Sequence, residues 1–402
     1  SYRLQIHSLR IFRHSMFKFQ SFRRLLSFRT TINPSPRFHL KSPKNGNSLV
    51  LITTPSQLQQ TIKNVYDLIE TRNANDFTIV TACVDTVAGK RNAVSELWFN
   101  KPITIENYKL APDNSDAQNS GVKSSFSAVA PVRLDKNWKD ETANSSLNIE
   151  IPHLPGVGSS HFLSMSLANT LFTTGEYYTS FFYQGDGHPA NLENSSSISI
   201  RLPPLDTDHM KVRAFHQLTE LDMGNKSADK DGCFQVTDFT SNMIEKINGE
   251  SAARYLIENT EMQKSKQDVF MELIDPQDIR NAKPFSSTSH MDQFYRIVLG
   301  GLGWGEKQEM IVLDPIVGNV GYRYCRLFQH DPNIKRPNIQ SETKTTTLTF
   351  DCSEPEPGFR DYGYTDDPEI VLENVAGLGN EKGFSFDGVW HTDKGSMLTV
   401  TF

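Results

Sequence analysis

The sequence predicts a two-lobed α/β body with mixed sheets, preceded by a disordered and basic N-terminal segment. Three observations support this prediction: the chain has 402 residues of which 37% are hydrophobic, a strand–helix–strand pattern begins at Leu49, and the first 47 residues contain no acidic side chain. A chain of this length buries enough apolar surface for two ordinary domains. We expect a leader at 1–47 and lobes at 48–205 and 206–402, with the seam after Pro203–Pro204.

The leader has the composition of a mitochondrial presequence. Ten of its residues are basic, and from Met16 onward helical spacing places Phe19, Phe22 and Leu26 on one side. We therefore expect import into the mitochondrial matrix, because the import machinery recognises a basic amphipathic helix. A basic RNA-binding arm and a plain disordered tail remain alternatives. Since the chain begins with Ser, one hypothesis is that Met16 is the initiator and residues 1–15 are upstream sequence.

The remainder of the chain is acidic. Without the ten basic residues of the leader it has 31 basic and 47 acidic side chains, which is a net charge of −16. Such a surface repels a phosphate backbone, so we expect no direct DNA binding. No run of about 18 apolar residues occurs, and we expect no membrane-spanning helix.

The first lobe opens with the most regular pattern in the chain. Leu49–Ile52 predicts a buried strand, Pro55 begins a helix with an apolar stripe from Leu58 to Ile69, and Phe77–Val84 predicts a second buried strand. Together they predict a βαβ unit with parallel strands and a right-handed crossover. Later in this lobe we expect strands at Ala93–Phe99 and Phe126–Leu134 and a helix at His161–Thr173.

The second lobe is predicted to consist mainly of strands. Phe234–Phe239 and Asn242–Ile247 predict a hairpin, and Ser251 is the expected N-cap of a helix at Ala252–Glu258. The other expected strands are Val212–Leu221, Tyr295–Leu299, Met310–Asp314, Tyr322–Phe328, Thr345–Phe350 and Met397–Phe402.

This hairpin and helix resemble the opening of the C-terminal half of FIST domains. The positions that match the family pattern are Ile244, Ile247, Asn248, Gly249, Ala252 and Tyr255. The small-residue turn Thr81–Gly89 is similar to the turn that follows the first strand, helix and strand in the N-terminal half of the family. The resemblance implies a two-part α/β module that senses small ligands, here as a fungal mitochondrial member.

Motifs that carry chemistry are few, and we expect no catalytic residue, no cofactor and no bound metal. Gly300–Lys307 lacks the Gly-Lys-Ser/Thr of a phosphate-binding loop, and Gly156–His161 lacks the GxSxG elbow of a hydrolase. The eleven histidines show neither HExxH nor HxH spacing. Asp186 and His188 lie in a Gly/Pro turn, where Asp commonly stabilises its own backbone rather than a metal ion.

The segment Phe384–His391 is the predicted ligand site. Trp390 can stack on a planar ligand while Asp387 and His391 bond to its polar groups. The alternative is a tight turn between two strands with Trp390 in the core. We expect a non-enzymatic small-ligand sensor or scaffold, with the mitochondrial ribosome or another protein as partner. The opposing hypothesis is an organellar enzyme that acts on a small metabolite.

Overall fold

Strands dominate the fold. The computed structural model of the chain describes residues 26–72, 77–110, 145–153, 159–170, 180–185, 192–205, 210–223, 232–288, 290–300, 309–314, 317–339, 345–354 and 367–402. Of these residues, 48% lie in strands and 12% in helices. Over the described residues the fold is therefore sheet-rich rather than clearly α/β as predicted, because most of the sheet is built without crossover helices.

The described ranges contain twenty-four strands, numbered β1 to β24 along the chain. The first twelve are β1 (Leu26–Ile32), β2 (Ser48–Thr53), β3 (Thr78–Cys83), β4 (Ala93–Phe99), β5 (Thr104–Leu110), β6 (Ser146–Ile151), β7 (His161–Ser166), β8 (Ser180–Gln184), β9 (Glu193–Arg201), β10 (Lys211–Phe215), β11 (Leu218–Glu220) and β12 (Phe234–Thr240). The others are β13 (Met243–Ile247), β14 (Glu250–Ser251), β15 (Val269–Ile274), β16 (Phe294–Gly300), β17 (Ile311–Leu313), β18 (Tyr324–His330), β19 (Thr347–Cys352), β20 (Ile370–Glu373), β21 (Val375–Asn380), β22 (Phe384–Phe386), β23 (Val389–His391) and β24 (Met397–Thr401).

Helices are few and mostly short. The described α-helices are α1 (Leu58–Arg72), α2 (Ala252–Ile257) and α3 (Thr260–Ser265), and single 3-10 turns lie at Pro55–Gln57 and Ile279–Asn281. No helix in the described ranges combines the length and the apolar character that a membrane crossing requires.

The predicted βαβ unit is confirmed. Strands β2 and β3 pair in parallel, with Leu49 opposite Ile79, and α1 lies between them in the chain. The buried side of α1, which includes Leu58 and Val65, belongs to the same apolar cluster as these strand residues. Spacing of apolar residues at three and four positions is sufficient to place this helix on one face of the sheet.

A twelve-stranded sheet carries the βαβ unit. In the described part of the chain its order is β20-β1-β4-β2-β3-β8-β9-β6-β7-β22-β23, and β5 pairs with β9. Strands β20, β22 and β23 come from the second predicted lobe. A division near residue 205 therefore separates two stretches of chain but does not separate their sheets.

The end of the predicted leader belongs to this sheet. Strand β1 pairs with β4 on one side and with β20 on the other, and its Phe28 and Ile32 are buried. Arg29, one of the ten leader cations, lies 3.7 Å from the buried Glu96. The prediction of disorder over 1–47 is thus wrong from residue 26 onward, because alternating Phe28, Thr30 and Ile32 supply a buried strand face. Residues 1–25 lie outside the described residues.

A second correction concerns the predicted helix at His161–Thr173. Its first part is strand β7, in which Leu163 and Met165 are buried and Ser164 and Ser166 are partly exposed. That alternation has a period of two, which is the period of a strand and not of a helix. The predicted strand Phe126–Leu134 lies outside the described residues.

The other two sheets belong to the second half of the chain. A four-stranded sheet has the order β10-β24-β19-β21, and an eight-stranded sheet closes a ring in which β18 pairs with both β12 and β15. The predicted hairpin β12–β13 and the following helix α2 are confirmed. Ser251 is not a side-chain cap, because its hydroxyl donates to the Glu309 carbonyl at 2.8 Å.

The four-stranded sheet covers one face of the large sheet, and α1 covers the other. Phe350 and Leu398 of the smaller sheet share an apolar cluster with Val50 and Ile149 of the larger one. All three sheets meet where β10 runs on into β11 and where β23 runs on into β24. This junction and the hairpin β22–β23 beside it position the residues considered next.

Candidate functional site

The hairpin β22–β23 carries all three residues of the predicted ligand site. Its two turn residues, Asp387 and Gly388, have φ values of 50° and 83°, as a tight two-residue hairpin turn requires. Phe386 pairs with Val389 across this turn. The hairpin is attached to the large sheet through β7.

Asp387 anchors the turn to the start of β7. Its Oδ2 lies 2.6 Å from Nδ1 of His161, and its Oδ1 accepts a hydrogen bond of 2.9 Å from the backbone N–H of Phe162. The His161 ring stacks on Phe386 with centroids 5.5 Å apart. Asp387 therefore orients the tip of the hairpin, and 39% of its side chain stays open to solvent.

A row of side chains crosses the sheet beside this turn. Strand register places Trp390 opposite Ser385, Ser385 opposite Ser164, Ser164 opposite Asn148, and Asn148 opposite Ser199. These five residues, which we call the polar row, share one face of strands β23, β22, β7, β6 and β9. Neighbouring members stand about 4.8 Å apart because that is the spacing of strands in a sheet.

The polar row is internally hydrogen-bonded. The Ser164 hydroxyl donates to Asn148 Oδ1 at 2.7 Å, and the Asn148 amide donates to the Ser199 hydroxyl at 3.2 Å. Each hydroxyl oxygen keeps acceptor capacity, because it has two lone pairs. Within the row, Ser164, Asn148 and Ser199 therefore present polar groups whose rotamers are fixed by their mutual hydrogen bonds.

An open cavity of about 240 Å³ lies over the row. Ser385, Ser164, Asn148 and Ser199 line it. Its rim adds the exposed ring of Phe162, together with Glu106, Glu150 and Gly388. The lining thus combines hydroxyl and amide groups with one aromatic ring, two carboxyl groups and the aliphatic residues Ile149, Leu163 and Ile200.

Trp390 and His391 face opposite sides of the sheet because they are consecutive residues of one strand. Trp390 is half-buried and shares the face of the polar row. His391 pairs with Phe384 and lies on the core side, where its ring stacks on Phe384 with centroids 4.8 Å apart. Of the three predicted residues, Trp390 shares the face of the polar row, His391 faces the core and Asp387 lies in the turn, and none of them lines the cavity.

His391 belongs instead to a buried group at the junction of the three sheets. Its ring lies parallel to that of His216, with centroids 5.9 Å apart. His216 Nδ1 is 2.8 Å from Asp393 Oδ2, and His216 Nε2 donates to the His290 carbonyl at 2.8 Å. We call His216, His391 and Asp393 the junction triad; each is at most 2% exposed.

The pKa values of the two junction histidines move in opposite directions. Burial lowers the pKa of His391 to about 4, against the opposing attraction of Asp393. Burial would also lower the pKa of His216, but the Asp393 carboxylate and the hydrogen bonds to Asp393 and His290 raise it above its ordinary value. Acceptors facing both ring nitrogens favour the protonated form of His216, whereas burial favours the neutral form of His391.

A second buried group continues from the triad. His290 Nε2 lies 2.8 Å from Glu272 Oε1, and Arg326 Nε donates to Glu272 Oε2 at 2.7 Å. Glu272 and Arg326 are directly opposite each other on β15 and β18. The contacts therefore run from Asp393 through His216 and His290 to Glu272 and Arg326 of the eight-stranded sheet.

Sequence reasoning named His391 but did not connect it with His216, His290 or Glu272. Their separations along the chain are too long for any metal or catalytic spacing motif, so pattern reading had no signal for the group. The candidate motifs at Gly301–Lys307, Gly156–Gly158, Asp186 and His188 lie outside the described residues. No family model, curated protein or solved structure matches this chain.

Proposed function

We propose that the chain is a non-enzymatic binding module that takes a small polar molecule on the polar row. The observation that carries this proposal is the strand register that aligns Ser385, Ser164, Asn148 and Ser199 under one cavity, with Trp390 at the end of the row. Concave sites with a few fixed polar groups and an aromatic surface are the usual form of small-molecule sites.

The lining indicates the chemical class of the ligand. Hydroxyl and amide groups favour a partner with hydroxyl, amino or amide groups of its own. Glu106 and Glu150 make the rim acidic, and Glu150 is offset by Arg201 at 3.3 Å. We therefore propose a neutral or cationic ligand, such as a polyol, a sugar or an amine, rather than an anion.

A binding screen with two matched variants tests the proposal. Full-length protein is titrated calorimetrically with a panel of polyols, monosaccharides, amino acids and amines. We expect at least one saturable ligand, weakened about tenfold by Ser164→Ala because one hydrogen bond is lost. Ser265→Ala is the control, since Ser265 is an exposed residue of α3 outside the cavity lining. Failure of every compound at millimolar concentration would contradict the proposal, as would equal weakening by both variants.

We also propose that the module has the two-part organisation of FIST domains. The hairpin β12–β13 leading directly into α2 supports this proposal, and so does the βαβ unit at the start of the first half. The hairpin carries Asn248 and Gly249 at its C-terminal turn, both with positive φ. They are two of the six positions on which the sequence resemblance rests.

A mitochondrial location is proposed for the module, with the targeting signal confined to residues 1–25. The reason is that Leu26–Ile32 forms a sheet strand, so removing it with a presequence would take away part of the fold. Reporter fusions with residues 1–25 and with residues 26–47 test this: the first should reach mitochondria and the second should not. Sedimentation of the endogenous protein with mitochondrial ribosomes tests the proposed scaffold role.

A further inference from the structure

The junction triad consists of three buried side chains, each of which can bind a metal ion. One nitrogen atom from each of His216 and His391 and one oxygen atom of Asp393 all lie within 4.8 Å of one another. His216 lies between β10 and β11, and His391 and Asp393 lie at and just after the end of β23. Two stretches of chain that are far apart in sequence therefore supply three metal-ligand groups to one point.

His391 provides the observation that points to a ligand. Its Nε2 is buried and forms no hydrogen bond with any residue that the structure describes. A buried polar atom without a partner is costly. The unshared lone pair of an imidazole nitrogen is what a metal ion binds.

His216 already makes the hydrogen bond that a metal-bound histidine usually makes through the ring nitrogen that does not contact the ion. A ligating histidine usually donates its second ring N–H to a carbonyl or carboxylate, which fixes the ring orientation. Here His216 Nε2 donates to the His290 carbonyl, and Nδ1 is turned toward Asp393. The His290 side chain is held in turn by Glu272, so the carbonyl acceptor lies on a fixed loop.

We propose that the junction triad binds one divalent transition-metal ion through His216 Nδ1, Asp393 and His391. Two imidazole nitrogens and one carboxylate oxygen form a donor set that suits Zn²⁺, with a further position for water. Binding replaces the proton that His216 Nδ1 shares with Asp393, and the released proton goes to solvent. The ion would link the segment between β10 and β11 to the segment between β23 and β24, and these two segments join the three sheets.

The neighbouring group of Glu272, His290 and Asp292 also has three ligand atoms within 4.8 Å of one another, but it is a poorer metal site. Arg326 holds Glu272 with nitrogen atoms at 2.6 and 2.7 Å, and that fixed positive charge repels a cation. The Asp292 side chain is 74% exposed. This group instead supports the triad, because Glu272 holds His290, whose carbonyl accepts the hydrogen bond from His216.

Metal titration of the full-length protein tests the proposal. Chelator-treated protein is titrated with Co²⁺, followed by its visible spectrum, and with Zn²⁺, followed by calorimetry and thermal unfolding. We expect one ion per chain, a rise in melting temperature and slow removal by chelators, because all three side chains are buried. No stoichiometric uptake at micromolar Zn²⁺ would overturn the proposal.

Variants locate the ion. His391→Leu and Asp393→Asn should each weaken Zn²⁺ binding by more than about 100-fold, since even outer contacts commonly contribute 10- to 100-fold. His39→Gln, at an exposed histidine, should leave binding unchanged. Full binding by folded His391→Leu, or equal weakening by His39→Gln, would overturn the assignment.

A measurement on the unmodified protein covers the case in which the triad variants do not fold. X-ray absorption at the zinc edge reports the atoms around the bound ion. Two imidazole ligands with oxygen in the remaining positions support the triad. Sulfur ligands, or oxygen alone, would overturn the proposal without reference to any variant.

Discussion

Asp393 Oδ2 lies 2.8 Å from His216 Nδ1, and each of these side chains is 1% exposed. Removing one partner of a buried charged pair leaves the other uncompensated, which typically costs 3–5 kcal/mol. We therefore expect Asp393→Asn to lower the free energy of unfolding of metal-free protein by about 3 kcal/mol. Urea denaturation measures this change, and Asp292→Asn is the control. A loss below about 1 kcal/mol, typical of surface substitutions, would contradict a stabilising buried pair.

Asp85 makes stability depend on pH. Burial raises the pKa of Asp85 from 3.8 to about 6, although Glu381 donates a backbone hydrogen bond to the carboxylate. The native state therefore binds this proton more tightly than the unfolded state does, so stability falls as pH rises from about 4 to about 6. The loss persists above pH 6 and amounts to at most about 3 kcal/mol.

Asp85→Asn should remove this dependence, because the amide is uncharged and still accepts the Glu381 hydrogen bond. We expect a higher melting temperature than wild type at pH 7 and an equal one at pH 4. Thermal unfolding at both values measures the difference. A variant that is less stable than wild type at pH 7 would show that the Asp85 carboxylate contributes more by attraction to Arg91 and Lys382 than it loses by burial.

The N-terminal limit of the folded part is a further prediction. Strand β1 forms a seven-residue ladder with β4, and Thr30 Oγ1 donates to the Val375 carbonyl at 2.9 Å. Deleting 1–25 should therefore leave the unfolding transition unchanged, whereas deleting 1–32 exposes two sheet edges and should abolish cooperative unfolding. Circular dichroism during heating compares the two truncations. Equal stability of both would show that β1 is dispensable.

Gly377 packs against the loop that follows the βαβ unit. A Cβ atom at this position would overlap the backbone of Ala88, which cannot move as a side chain can. We expect Gly377→Ala to lower the free energy of unfolding by about 3 kcal/mol, the upper part of the range for overpacking. Gly89→Ala is the control: it has open space and a φ of 71°, so its loss should stay near 1 kcal/mol. Similar small losses for both would contradict a rigid contact at Gly377.

Local patterns predicted the elements whose formation depends on neighbours in sequence. The stripe from Leu58 to Ile69 predicted α1, and the turn at Thr240–Ser241 predicted the hairpin β12–β13. Prediction was wrong where two signals competed. At Leu26–Ile32 the basic composition outweighed an alternation of buried residues, and at His161–Ser166 a strand period was interpreted as helical.

In the candidate sites, too, features that depend on adjacent residues could be predicted, and features that depend on distant strands could not. The hairpin turn at Asp387 and Gly388 was visible because a turn depends on adjacent residues. Its contact with His161 was not visible, since that residue is 226 positions away. The polar row needed the register of four strand pairings, and register between distant strands has no local signal.

The sequence by itself determined the acidic charge of the body, the βαβ unit and the hairpin with its following helix, because charge is a sum over residues and these elements arise from short-range periodicity. Only the tertiary structure decided that β20, β22 and β23 belong to the twelve-stranded sheet. It also decided that Trp390 and His391 lie on opposite faces of that sheet and that His216 contacts Asp393. Those outcomes depend on which strands pair and in what register, and the energy that selects them comes from burial of apolar faces over the whole chain.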